Sequence, residues 1–345
     1  MNKIESGEKL DFNNVLIRPK RSTINSRSKI SLEREFKFKH SNRSWKGTPI
    51  ISANMDTTGT FNVYNELKNH KIITALHKFY KLQDYQDFAS NNKLDENFFM
   101  VSSGISDSDF ENLKEILNNI SVKWICIDIA NGYINNFVKY CKKIRENFPD
   151  KIIVAGNVVT REMVEELILT GGVDVVKIGI GPGSACTTRL KTGVGMPQLS
   201  AVLECADAAH GVGGHIISDG GITCPGDMAK AFGGGADFVM VGGQFAGHMQ
   251  NPGEIVEENG KKYKLFYGMS SDKAQETHFG KMEKYRASEG RVLKIPYKGD
   301  INDTVLDYLG GLRSTCTYIN ASSIKQMAKC TTFMKVTQQL NTFFV

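Results

Sequence analysis

The sequence predicts an α/β fold, a closed barrel of eight (β/α) units, on three observations. Eight short apolar runs rich in Val, Ile and Phe recur along the chain, stretches with helical spacing separate them, and several runs end in Gly, Asn, Asp or Ser. Near-continuous apolar strands belong to a parallel sheet buried by helices, and eight such units close on themselves. An open doubly wound sheet is the competing arrangement.

In order, the runs are PIISAN from Pro49, KIITALHKF from Lys71, FFMVSSG from Phe98, WICIDIANG from Trp124, KIIVAGNVV from Lys151, VDVVKIGIG from Val173, HIISDGG from His215 and ADFVMVGG from Ala236. Amphipathic segments such as REMVEELILTGG and PQLSAVLECADAAHG come between them. In a (β/α)8, or TIM, barrel the polar residues at the C-terminal strand ends share one mouth, where active sites of this fold lie. Here they are Asn54, Asp56, His77, Lys78, Ser102, Ser103, Asp128, Asn131, Asn157, Asp219, Gly220, Gly221, Gly242 and Gly243, a larger polar set than packing requires.

Two connections are too long to be mere connectors, one from Gly181 to about Met196 after the sixth run and one from Gln244 to about Asp303 after the eighth. The second contains EIVEENGKKYKLFYGM, where Asn259-Gly260 signals a hairpin, and then a polar stretch that reads as a mobile flap. The expected organisation is one barrel domain over residues 1–345, with a catalytic loop at 181–196 and a hairpin-and-flap insertion at 244–303.

With 41% hydrophobic and 23% charged residues in 345, the chain has the balance of a soluble globular protein. Its first residues, MNKIESGEKLDF, mix charges where a secretory signal needs an apolar core, and no apolar run reaches the ~18 residues of a membrane span. A cytoplasmic protein without membrane contact is expected. Seven cysteines with no C-x-x-C pair read as reduced thiols, neither a disulfide framework nor a zinc site. The net charge of +6 comes from basic residues spread among acids, which argues against a nucleic-acid stripe. A mild positive excess suits small phosphorylated ligands, or is only a solvated surface.

The segment GIGPGSACTTRLKTGVG starts where the sixth run ends, and its glycines at 179, 181 and 183 let backbone approach a ligand. Cys186 within it, beside Thr187, Thr188 and Arg189, reads as an activated thiol, because donors and positive charge favour thiolate. A small residue in a tight turn is the other reading. Cys126, Cys141 and Cys205 fall on apolar strand or helix positions, and Cys224, Cys316 and Cys330 have no recognisable partner. G-x-G-x-G-S does not match the dinucleotide fingerprint, and no helix is expected promptly after it. The pairs SDGG and VGG, ending the seventh and eighth runs, are stronger, since barrels bind phosphate there on backbone N–H groups. No histidine metal motif is present, and His77 reads as a hydrogen-bonded structural residue whose neighbour Lys78 could meet a phosphate.

GPGSACTTRLKTGVGMPQLSAV resembles the cysteine loop shared by the IMP dehydrogenase/GMP reductase family, as do SDGGITCPGDMAKAFGGGADFVMVGG and FYGMSS in their own parts of the pattern. LDFNNVLIRPKRS and GGLRSTCTY extend the resemblance over almost the whole chain. IMP dehydrogenases normally carry an inserted CBS-pair domain after the second strand, and here the third run follows Lys78 after one helix. Their flap also carries an Arg-Tyr pair that activates hydrolytic water, whereas this chain has Tyr285-Arg286 in reverse order within YRASEG. YRASEG followed by IPYKG resembles the GMP-reducing branch.

The resemblance implies NADPH-dependent reductive deamination of GMP to IMP with release of ammonia, through a thioimidate on Cys186, with Thr188 and Glu289 moving protons. It places GMP phosphate on Ser184, Gly220, Gly221, Gly242 and Gly243, the ribose on Asp219, and the base at Gly268, Met269 and Ser270, with Arg286, Ser288 and Gly290 closing from the flap. For the cofactor it implies Asp128, Ile129, Ala130, Ile180, Gly181, Lys78, Met269, Tyr285 and Arg286. Ser26, Arg27, Ser314, Thr315, Cys316 and Thr317 would come from a neighbouring subunit of a homotetramer. Carbonyls of Gly181, Gly183 and Cys186, with Arg189, resemble the family's monovalent-cation (K+) site. An IMP dehydrogenase lacking its CBS domain and a non-catalytic purine-nucleotide sensor are the alternatives.

Overall fold

The computed structural model describes residues 4–269, 271–279 and 289–337. All eight apolar runs are strands: β1 (Ile50–Ser52), β2 (Ile73–Leu76), β3 (Phe99–Ser103), β4 (Trp124–Asp128), β5 (Ile152–Val158), β6 (Val175–Ile178), β7 (His215–Asp219) and β8 (Phe238–Val241). They form a closed, parallel barrel in chain order, sealed where Val239 of β8 lies opposite Ile50 of β1. The open-sheet alternative is thereby excluded.

Two apolar layers hold the barrel. Inside it, Ile51, Ile73, Met100, Cys126, Val154, Val175, Ile217 and Met240 form one cluster, while outward residues such as Ile50, Ile125, Ile153 and Val176 join the helices in a second. The helices start and stop on local signals. Ser106 and Asp109 form a reciprocal capping box on the helix Asp107–Asn119, satisfying backbone N–H groups that a first turn leaves free. Asp300 caps Ile301–Ile319, which ends at Asn320 in the left-handed conformation.

An antiparallel hairpin, Arg34–Lys37 with Ser44–Gly47, plugs the N-terminal end of the barrel. Phe36 stacks on Phe238 with ring centroids 4.4 Å apart, and Phe38 meets Trp124 edge-on at 5.2 Å. Two buried carboxylates clamp this plug. Asp174 accepts from Arg145 at 2.6 Å and from the His40 N–H at 3.0 Å, and Asp237 accepts from Arg34 at 2.8 Å and pairs with His210 at 2.8 Å. Burial alone would raise the Asp237 carboxyl, but hydrogen bonds from His210 and His215 outweigh it and hold it below the usual carboxylate range.

In the insertion after β8, the expected hairpin pairs Val256–Glu258 with Lys261–Tyr267, and Asn259 and Gly260 both take positive φ, as the turn requires. Two elements were not foreseen. Val292–Pro296 adds a third strand to this hairpin, and Asp272–Phe279 is a helix in the stretch read as polar flap. A short helix, Thr188–Thr192, also follows the glycine loop directly, where none was expected. Val15–Ile17 pairs with Phe333–Lys335, tying the two ends of the chain together. Among the described residues no helix is long and apolar enough to cross a membrane.

Asp237→Ala should lower unfolding free energy by about 3–5 kcal/mol, because it strands Arg34 and the two histidines around a lost buried charge. Since folding depresses the Asp237 carboxyl, its contribution is complete above the unfolded carboxylate value near ~3.9 and is lost as pH falls through the folded one. Because the contact with Asp237 also raises His210, which is charged below neutral pH, urea melts should show the wild-type advantage over the variant shrinking only as pH falls below ~3.9.

Candidate active site

The C-terminal strand ends open into a cavity of about 1160 Å³, walled by strand ends, the cysteine loop, the glycine turns after β7 and β8, and the start of the insertion. That exceeds the roughly 300–1,000 Å³ of an ordinary small-molecule pocket and admits more than one ligand moiety.

Its roof is made where two distant segments pair. Thr187 N–H donates to the Glu289 carbonyl at 2.8 Å, Arg291 N–H donates to the Ala185 carbonyl at 3.0 Å, and Cys186 lies opposite Gly290 in an antiparallel bridge. In this register Cys186 Sγ lies 3.2 Å from Thr188 Oγ1, and Thr188 Oγ1 donates to Glu289 Oε2 at 2.7 Å. With the threonine hydrogen on the carboxylate, the hydroxyl oxygen can accept from the thiol. A continuous path then runs from sulfur to carboxylate.

The loop is braced from below. Arg189 donates to Asp11 Oδ2 at 3.1 Å and to the Met196 carbonyl, packing its stem against Gly181 and Gly195. Gly181 sits at φ +82°, and a Cβ there would lie 2.4 Å from Arg189 Cγ.

The floor is polar and buried. Lys177 of β6, 2% exposed, reaches Asp128 Oδ1 at 2.7 Å and Asp219 Oδ2 at 3.2 Å. Asn54 donates to Asp128 Oδ2 at 2.6 Å, and Asn157 donates to Asp219 Oδ2 at 2.8 Å. Burial alone would lower the Lys177 ammonium, but Asp128 and Asp219 beside it outweigh burial and raise it. Burial alone would raise the Asp128 carboxyl, yet Lys177 holds it below its ordinary value.

Ser184, Gly220, Gly221, Gly242 and Gly243 all line the cavity. A Cβ on Gly243 would come 3.1 Å from Ser184 Oγ, so hydroxyl and bare backbone face each other there. Gly243 begins a 3-10 turn, and Lys298 Nζ donates to the Gln244 carbonyl at 3.1 Å, adding a cation beside backbone N–H groups. Gly268, Met269 and Glu289 line the cavity, as do Lys78, Asp128, Ile129, Ala130, Ile180 and Gly181. Gly290 sits against Gly268, where a Cβ would come within 3.2 Å of its Cα.

Other expectations fall elsewhere. Ser270, Tyr285, Arg286 and Ser288 lie outside the described residues. Ser26, Arg27, Ser314, Thr315 and Thr317 do not line this cavity, though the turn Arg27–Lys29 packs on the helix that carries 314–317. Cys316 does not line it either; its side chain is buried and its carbonyl accepts from Asn320 and Ala321. Of the cation set, the Gly183 carbonyl accepts from Cys186 N–H and the Arg189 carbonyl from Gly193 N–H.

Asp56, His77, Ser102 and Ser103 also do not face the cavity. Asp56 accepts from Tyr267 and lies 2.6 Å from His278 Nε2, and His77 stacks on Tyr80 at 3.9 Å, with burial lowering its basicity. Burial pushes the Cys126, Cys205 and Cys316 thiols up to about 12, which suits inert core positions. The sequence reading passed over Lys177, although a lysine inside VDVVKIGIG is a visible anomaly. It also passed over the Asp11–Asn13 segment, Lys230 and Lys298, which line the same cavity.

The fold and site define the class of this protein as a parallel (β/α)8 barrel whose mouth holds a cysteine, a threonine and a glutamate joined by short contacts, in one cavity with a set of bare glycines. Residues 9–341 match the family model described as IMP dehydrogenase / GMP reductase domain, and the chain belongs to that family. It is 58% identical over 344 residues, 99% of either chain, to proteins named GMP reductase from Escherichia coli O81 (strain ED1a), Shigella boydii serotype 4 (strain Sb227) and Escherichia coli (strain K12 / DH10B).

Gly181→Ala should strain the loop by about 1–2 kcal/mol through its left-handed conformation, beyond the clash with Arg189. Iodoacetamide labelling of Cys186, followed by mass spectrometry, should change rate severalfold in this variant while the melting temperature of the barrel moves little. An unchanged labelling rate would show that Arg189 does not set the loop.

Proposed function

We propose that this chain catalyses the NADPH-dependent reductive deamination of GMP to IMP with release of ammonia, a purine-nucleotide interconversion. The observation that carries the reading is the in-line arrangement of Cys186, Thr188 and Glu289, at 3.2 and 2.7 Å, in one cavity with the anion cradle. Full-length likeness to proteins named GMP reductase supports it.

GMP would lay its phosphate on Ser184, Gly220, Gly221, Gly242 and Gly243 and its ribose hydroxyls on Asp219. The purine would lie under Gly268, Met269 and Gly290, and Ser270, Arg286 and Ser288 would complete the enclosure. Cys186 Sγ attacks C2 of the purine, its proton passing through Thr188 to Glu289. Glu289 then gives a proton to the departing amine, since an unprotonated amide ion cannot leave near neutral pH. Ammonia departs and a thioimidate remains on Cys186. Splitting one displacement in two in this way lowers each barrier.

The apolar shelf of Ile129, Ala130 and Ile180 beside Asp128 and Gly181, together with the volume left over, fits a nicotinamide ring. NADPH, when bound, supplies the hydride to C2 that releases the thiolate and leaves IMP. Lys78 and, from the flap, Tyr285 and Arg286 would hold the rest of it. In a homotetramer the neighbouring subunit would add Ser26, Arg27, Ser314, Thr315 and Thr317, with the Arg27 guanidinium suited to the 2′-phosphate. K+ would rest on carbonyls of Gly181, Gly183 and Cys186, with Arg189 beside them. A cytoplasmic location suits such an enzyme.

Incubation with GMP and NADPH should consume nicotinamide absorbance and release equal ammonia, whereas IMP and NAD+ should give no XMP. Cys186→Ser should abolish turnover. Glu289→Gln should reduce deamination by about 10²- to 10⁴-fold while calorimetric GMP affinity stays largely intact. Normal turnover by either variant would overturn the chemical assignment.

A further inference from the structure

We infer that Lys177 is a positioning residue whose single buried ammonium allows Asp128 and Asp219 to stand ionised side by side, one facing the cofactor and the other the nucleotide ribose. This rests on the proposed function for which ligand each carboxylate meets. The geometry is independent of it.

Asp128 and Asp219 end β4 and β7, across the barrel from each other, and both contact the same nitrogen at 2.7 and 3.2 Å. The three groups together carry one net negative charge. Without the ammonium, two carboxylates would face each other with nothing between them to offset their repulsion, and neither would keep the position in which it meets its ligand. The surroundings are arranged for a lysine. Gly156 on β5 leaves room for its stem, since a Cβ there would lie 2.5 Å from Lys177 Cβ.

Each carboxylate is also held by an amide of its own, Asn54 on Asp128 Oδ2 and Asn157 on Asp219 Oδ2. Both fixed contacts on Asp219 therefore fall on Oδ2, and among the described residues nothing bonds its Oδ1. That oxygen is left to accept ribose hydroxyls. The ionisable groups around the cluster are Cys126 on β4, whose thiol burial keeps neutral, and Lys78, whose charge adds to the stabilisation of Asp128. Neither can replace an ammonium seated between the two acids.

The test exploits the charge count. Lys177→Met raises the cluster to two negative charges, and adding Asp128→Asn or Asp219→Asn returns it to one. GMP affinity would be read by calorimetry, NADPH affinity by its fluorescence, and folding by thermal melting. K177M should weaken both ligands by at least about tenfold. K177M/D128N should recover GMP affinity to within about threefold of wild type with NADPH still weak, and K177M/D219N should show the mirror image. A protein that merely needs the lysine to fold would not give this crossed split.

If K177M does not fold, the two double variants carry the test, read against D128N and D219N. The inference is overturned if K177M binds both ligands as wild type does, or if the folded double variants recover both ligands alike or neither. A wild type that reduces GMP while the variants show no split overturns the role of Lys177 alone. A wild type that fails to reduce GMP overturns the proposed function instead.

Discussion

The site depends on a short stretch of antiparallel backbone pairing between the cysteine loop and residues 289–291. Two directional N–H···O=C bonds, Thr187 to Glu289 and Arg291 to Ala185, set the register in which Cys186 lies opposite Gly290. Because successive side chains on an extended segment alternate in direction, a slip of one residue would turn Glu289 away from Thr188. The pairing brings Thr188 to Glu289, 101 positions away in the chain, so neither segment holds this geometry alone. Gly268 has no side chain to obstruct this pairing, since a Cβ there would lie 3.1 Å from the Ala185 carbonyl oxygen and 3.2 Å from Gly290 Cα.

Floor and roof solve different problems. The roof brings a thiol, a hydroxyl and a carboxylate into contact at the edge of solvent. On the floor an ammonium is sealed against two carboxylates, where charge must stay. An ion cluster is costly to bury unless every member is paired and hydrogen-bonded, and here two asparagines complete it. The opposite end of the barrel is closed by the aromatic plug and its clamps at Asp174 and Asp237. The N-terminal segment is fastened to the mouth at two points, since Asp11 braces Arg189 while Lys230 donates to the Phe12 carbonyl at 2.8 Å.

The eight strands were legible because each is an apolar run long enough to be unmistakable and is bounded by turn residues. The hairpin at Asn259-Gly260 was legible because its turn needs positive φ at both positions. The third strand of that sheet was not, since Val292–Pro296 alternates weakly and finds its partner across an intervening helix. Among the polar strand ends, position in sequence located the mouth but not the direction of each side chain. Asn54, Asp128, Asn157 and Asp219 point into it, whereas Asp56 turns toward His278 and Ser103 donates to the Gly104 carbonyl. Cys316 shows the same limit, because motif position could not reveal that its helix buries it.

By itself the sequence determined the barrel, the glycines that bare the backbone after the seventh and eighth strands, and the residue types available to the mouth, because these follow from local periodicity and from residue type. Tertiary structure alone decided that Thr188 meets Glu289, that Lys177 stands between Asp128 and Asp219, and that Asp219 keeps one oxygen open. Those contacts join residues between 42 and 101 positions apart. Their distances follow from barrel closure and strand register, which only the assembled chain possesses.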